Sequence, residues 1–124
     1  MDDALRDAIF ALGPGIRYVA FGKGQSIDIS QREELVRASG AGSDFFEELL
    51  VNPTLLKLAR QRGDFDCGGL RYLIVGYGNF HQVVVEMQEG HVSVCVELDS
   101  DPVAIAEQVA GLLTNARQSR TTPP

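Results

Sequence analysis

Residues 70–113 read LRYLIVGYGNFHQVVVEMQEGHVSVCVELDSDPVAIAEQVAGLL, and this stretch decides the fold. Three apolar runs, 70–75, 80–87 and 91–98, are separated by Gly76-Tyr77-Gly78-Asn79 and by Gln88-Glu89-Gly90, both too short for a helical crossover. Consecutive strands joined this tightly pair antiparallel, so the stretch is a three-stranded meander. In its last run Val92, Val94, Val96 and Leu98 alternate with His91, Ser93, Cys95 and Glu97, and a period of two predicts one core face and one wetter face. Val83, Val84 and Val85 are consecutive and point to both faces, so both need cover, from helices or from a second protomer. Asp101 then reads as an N-cap with Pro102 at the first helical position, and Ile105, Ala106, Val109, Leu112 and Leu113 form the apolar stripe of the helix that follows.

Working upstream, Asp2 or Asp3 caps a first helix with Leu5, Ala8, Ile9 and Leu12 at helical spacing, and Gly13-Pro14 stops it. Residues 16–21 read as a strand, Gly22-Lys23-Gly24 as a hairpin turn, and residues 25–29 as a second strand. Ser30 with Glu33 has the spacing of a capping box for a short helix ending near Gly40, and Asp44 with Glu47 that of a second. Asn52-Pro53 predicts a fresh helix over 53–62, because asparagine caps well and proline suits the first turn; Gly63 ends it and 64–69 is a loop.

Hydrophobic residues are 44% and charged residues 23% of the 124-residue chain, which predicts one globular domain with a core of its own. Seventeen acidic against eleven basic residues give a net charge of −6, and such a field repels phosphate backbones and anionic lipid. No nucleic acid and no membrane partner is therefore expected. The opening MDDALRDAIF is acidic where a signal peptide is basic, and the chain is expected to stay cytoplasmic.

No catalytic, cofactor-binding or metal residue is assigned. His81 and His91 fall near opposite ends of the meander's second strand, without a third ligand at suitable spacing. Cys67 and Cys95 have no C-x-x-C spacing and no activating basic neighbour in sequence; a bridge, or a Cys–His pair, would have to be assembled in space. Gly22-Lys23-Gly24-Gln25-Ser26 lacks the spacing of a phosphate loop and precedes a strand. Asp99, Ser100 and Asp101 are followed by no calcium-loop glycine, and one of them is needed as a cap. What stands out instead is apolar surplus: Phe45, Phe46, Leu49, Leu55 and Leu56 are the candidate dimer or partner surface.

The order helix, two strands, helical segment, three strands, helix resembles the roadblock/dynein light chain family, whose fold is akin to the longin and profilin folds. The resemblance covers residues 2–113 and is clearest over the quoted stretch, with its acidic-Gly hairpin, its valine-rich strand and its Asp-Pro helix start. Residues 31–62 depart from it, reading as two or three helical pieces where the family carries one helix. The expected architecture is thus an α+β, roadblock-like domain over 1–114, a five-stranded antiparallel sheet with helices on both faces, followed by a polar tail over 115–124 that frays. The resemblance implies a dimer whose protomers join sheets and helices, a non-enzymatic scaffold or regulator of small Ras-like GTPases of the kind found in bacterial polarity and motility systems. The alternative is a small-ligand sensor, which needs a pocket of roughly several hundred cubic ångströms lined by aromatics and a few polar groups.

Overall fold

The computed structural model describes residues 3–32 and 41–121. Helix α1 (Asp3–Phe10) leads into the hairpin β1 (Ile16–Lys23) and β2 (Ser26–Gln31). A helical run follows: α2 (Ala41–Phe46), a π-helical turn (Glu47–Val51) and α3 (Asn52–Asp66). The meander β3 (Leu73–Gly76), β4 (His81–Met87) and β5 (Gly90–Val96) precedes α4 (Pro102–Thr121). The five strands form one antiparallel sheet in the order β2-β1-β5-β4-β3, so β2 and β3 are its free edges.

Helices α1 and α4 cover one face. Leu5 and Ile9 of α1 and Ile105, Ala106, Val109 and Leu113 of α4 close over Val19, Val83, Val85, Val92, Val94 and Val96. This is the main core, and burying each large apolar side chain in it contributes about 1.5–3 kcal/mol. Asp101 caps α4 as its sequence predicts, its Oδ1 accepting from the backbone N–H of Val103 and Ala104 at 3.1 and 3.2 Å. The helix backbone continues past Leu113 to Thr121, into the stretch the sequence reads as tail.

Several local expectations are corrected. Lys23 pairs with Ser26, so the first hairpin turns at Gly24-Gln25, with Gly24 at φ 61°, and Gly22 belongs to β1. Ser30 pairs with Val19 in β2 rather than capping a helix, and the rest of that expected helix lies outside the described residues. The next helix has begun by Ala41, which puts Asp44 inside it. Asn52-Pro53 starts no new helix: Asn52 has helical φ and ψ of −64° and −46°. Its N–H bonds to Glu47 O, five residues back. That wider turn just before Pro53 shifts the hydrogen-bond register where the ring would otherwise press on the preceding turn, so the helix passes through.

Gly63 does not end α3 either. It is buried where α3 meets the following turn, and a Cβ there would stand 2.9 Å from the carbonyl carbon and oxygen of Gly69. The helix closes three residues later, with Gly63 O accepting from Cys67 N and Gly69 N at 3.0 Å and with Gly68 and Gly69 at positive φ. Residues 41–66 are therefore one continuous helical run, so among the described residues of 31–62 the expected separate helical pieces from 41 onward are one. Leu98, assigned to the core by alternation, lies beyond the end of β5 and is exposed.

Candidate functional site

The run α2–π–α3 lies across the other face of the sheet, over β1, β4 and β5. Its buried positions are Glu48, Asn52, Leu56 and Gly63. Its apolar residues point away: Phe45 is 45% exposed, Phe46 58%, Leu50 55% and Leu58 59%, with Leu49 and Leu55 also at the surface. The usual amphipathic arrangement is inverted. Of the five residues assigned to a dimer or partner surface, Phe45, Phe46, Leu49 and Leu55 are exposed, and Leu56 packs inward at 4% exposure.

The sheet presents a matching polar face to the helix. His91, Ser93 and Cys95, which alternation places on the wetter side, are buried there, and so are Tyr18 and Gln82. Glu48, wholly buried, holds the layer together. Its Oε2 accepts from Tyr18 OH at 2.7 Å, and its Oε1 accepts from Asn52 Nδ2 at 3.0 Å and lies 2.8 Å from His91 Nε2. Facing a carboxylate oxygen, that imidazole nitrogen carries the hydrogen. Ser93 Oγ accepts from Asn52 Nδ2 at 3.2 Å and also bonds Gln82 Nε2, which reaches Tyr18 OH at 3.1 Å. Among the described residues, Asn52 Oδ1 and Gln82 Oε1 have no partner.

A serine, a histidine and a carboxylate are thus neighbours, but Ser93 turns to the two amides instead of the imidazole, and the group is sealed under the helix. The arrangement fixes the helix on the sheet. Burial, and then the Glu48 carboxylate, push the Tyr18 hydroxyl pKa far up, so it stays a donor. Gly22 completes the fit, because a Cβ on it would stand 2.4 Å from the His91 ring.

Sequence reasoning passed over Glu48, Asn52, Tyr18 and Gln82. The signal was present as Glu48, Asn52 and Leu56 at four-residue spacing, opposite a strand in which Gln82 interrupts valines. Arg32 was also missed: its guanidinium donates to the carbonyls of Phe10 (3.0 Å), Gly13 (2.6 Å) and Ile16 (2.5 Å) and lies over the Phe10 ring. It thereby ties the end of α1 to the start of β1. His81 and His91 occupy opposite ends of β4 and β5, as the sequence places them. Cys67 is exposed and Cys95 buried, both free, and burial pushes the Cys95 thiol pKa up to about 12.

Two clefts flank these layers. One, of about 620 Å³, opens between the start of the helical run and the β3–β4 turn, with Tyr18, Phe46, Tyr77 and Phe80 in its walls. The Tyr77 and Phe80 rings are tilted against each other with centroids 5.3 Å apart. The other, of about 820 Å³, lies between α4 and the hairpin ends, its polar rim closed by the pairs Lys23–Glu89 (2.5 Å) and Arg71–Glu107 (3.0 Å).

Helix order, sheet order and the single run over β1, β5 and β4 can be set against solved structures. A Roadblock/LC7 domain from Streptomyces avermitilis superposes with a TM-score of 0.70 over 97% of this chain and 98% of its own, at 16% identity. The chain has the roadblock fold. MglC from Myxococcus xanthus matches with a TM-score of 0.59 over 95% of this chain and 97% of its own, at 13% identity. MglB in a tetrameric arrangement matches at 0.58 over 92% and 88%, also at 13% identity. No protein-family model and no curated protein matches the sequence. The likeness to the roadblock structures is therefore one of fold.

Proposed function

We propose that this chain is a non-enzymatic, dimeric protein-binding module, and that the partner its dimer serves is a small Ras-like GTPase. The observation that carries the first part is the inverted helix. Phe45, Phe46, Leu49, Leu50 and Leu58 form an apolar outer surface with nothing of this chain over it among the described residues. The neighbouring sheet edge, β3, is short and apolar, with Leu73, Ile74 and Val75 half-buried and one side unpaired. Such an edge is a ready template for a second strand. A second copy of the chain bound there would cover the apolar surface and pair the free edge together.

The GTPase is supported by the roadblock fold and by what resemblance to that family implies. Fold alone is weak warrant for a particular partner, so the experiment has separate arms. Sedimentation at micromolar concentration is expected to return twice the 13.5 kDa chain mass, and Leu58→Asp a folded monomer. A wild-type monomer would remove the dimer. Capture from host lysate with a slowly hydrolysed GTP analogue, and separately with GDP, is expected to recover a GTPase in one nucleotide state only. Recovery indifferent to nucleotide would remove that partner while leaving the dimer standing.

A further inference from the structure

We propose that association through the helical run takes up a proton at Glu47, so that the assembly tightens as pH falls. The inference rests on the dimer proposed above and adds its regulation. Glu47 opens the π-helical turn, with Phe46 at 58% and Leu50 at 55% exposure close by in the chain. Its two carboxylate oxygens accept from Tyr77 OH at 2.9 and 3.1 Å. Tyr77 directly follows Gly76, the last residue of β3. The bond therefore ties the helical run to the end of the free sheet edge, the two features a second copy is proposed to cover. Phe46, Val51, Tyr77 and Phe80 line one cleft with this carboxylate.

In the free chain Glu47 is half-buried, so part of its charge is still hydrated. Covering Phe46, Leu50 and the end of β3 takes water from that carboxylate, and a carboxylate stripped of water needs a positive neighbour or a proton. No cation pairs with Glu47 among the described residues, its partner being the Tyr77 hydroxyl. A second copy brings basic residues that are largely engaged. Arg17 faces Glu97 at 3.6 Å, Arg71 faces Glu107 at 3.0 Å, and Arg60 and Arg62 bond Glu86 and Asp66. The chain as a whole has seventeen acidic against eleven basic residues. Lys57 lacks such a pair among the described residues, and a role for it would show as lost affinity when the carboxylate is removed.

The groups around Glu47 set the direction. Burial already raises its pKa in the free chain; the Tyr77 hydrogen bond works against this, the Glu48 and Asp44 carboxylates with it, and His91 of β5 against it. Desolvation on association acts in the same sense as the burial already there. A carboxyl whose pKa is higher in the assembly than in the free chain binds a proton on assembly. The gain is full below the free-chain value and is lost as pH rises through the assembly value. Two-fold symmetry gives two such carboxyls per dimer, so between those values the affinity changes by up to about a hundredfold per pH unit.

The test is sedimentation equilibrium of the full chain from about pH 8 down to about pH 5.5, with far-UV circular dichroism confirming the fold at each step. The dimer dissociation constant is expected to fall by about tenfold or more over that range. Glu47→Gln keeps the shape and an acceptor for Tyr77. It should bind as tightly at about pH 8 as the wild type does at about pH 5.5, with little dependence on pH. Tyr77→Phe removes the donor that favours the charged carboxylate, so its tightening should begin at higher pH, a shift that a purely packing role for Tyr77 does not produce. A dimer whose affinity ignores pH, a pH dependence that persists in Glu47→Gln, or a dimer that Glu47→Gln weakens would overturn this inference and leave the dimer standing. A chain that stays monomeric at every pH would overturn the dimer and this inference together.

Discussion

Removing the carboxylate at position 48 is the sharpest test of how the helical run is held. In Glu48→Ala the Tyr18 hydroxyl and the His91 N–H, at 2.7 and 2.8 Å from Glu48, lose their acceptor in a layer that water does not reach. Asn52 keeps its bond to Ser93, so two buried donors, not three, are orphaned. Each costs about 1–3 kcal/mol, and the vacated side-chain volume adds to it, for a total of about 3–5 kcal/mol. That is a large part of a domain's stability of roughly 5–15 kcal/mol. Glu48→Gln should be milder, at about 1 kcal/mol, because the amide retains an acceptor and its new N–H has Asn52 Oδ1, unpartnered one turn away, as an outlet. The assay is urea unfolding followed by far-UV circular dichroism at fixed protomer concentration, since association adds to apparent stability. A double-mutant cycle with Tyr18→Phe should give a coupling of about 1 kcal/mol or more, because both changes remove one bond. A loss below about 1 kcal/mol for Glu48→Ala, or strict additivity in the cycle, would show that the carboxylate does not organise this layer.

Two further outcomes follow from single residues. Cys95 keeps its proton up to about pH 12 in the folded state against 9.0 for an ordinary thiol, so above pH 9 the unfolded chain releases a proton that the folded one retains. Stability should be indifferent to this group below pH 9 and fall as pH rises from there, and Cys95→Ala should delay the onset in alkaline unfolding curves. At about pH 8 a thiol reagent should titrate Cys67 alone until denaturant is added, and rapid labelling of both would contradict the burial seen. Arg32→Ala should cost about 2 kcal/mol in thermal or urea unfolding, since three carbonyls lose a charged donor, and Arg32→Lys should restore only part because an ammonium cannot fork to all three.

The meander, the α4 cap and the α1/α4 core were legible because there the local signals and the packing agree. Short glycine-bearing turns force antiparallel pairing, and the valine alternation of β5 faces the stripe of α4 as a period of two facing a period of 3.6 should. The helical run was misread for one physical reason in two places. Asn52-Pro53 and Gly63 are helix boundaries by local propensity, and tertiary contacts overrode both: Asn52 is needed in the buried layer, and Gly63 is where the backbone of Gly69 approaches. The candidate surface was assigned through apolar surplus. The polar residues beneath it were not, because the default reading turns a helix's apolar side inward. Strand β5 held the corrective signal, since a face made of His91, Ser93 and Cys95 calls for a polar partner if it is covered at all.

The two layers beside the sheet differ in what secures them, and that difference connects the buried network to association. The α1/α4 side is held by apolar burial, which tolerates small displacements. The helical run has Leu56 as its buried apolar residue and otherwise rests on hydrogen bonds among Tyr18, Glu48, Asn52, Gln82, His91 and Ser93, which demand one position and one register. A helix so held gains little free energy from docking on its own sheet and leaves its apolar side to solvent. Covering that outer surface supplies the missing apolar burial, so whatever binds there also favours the docked helix by linkage. The polar layer then sets where the helix sits, and the partner sets how firmly. If the chain dimerises as proposed, the outward phenylalanines and leucines become the second half of the helix's packing, completed by the partner instead of by the chain itself.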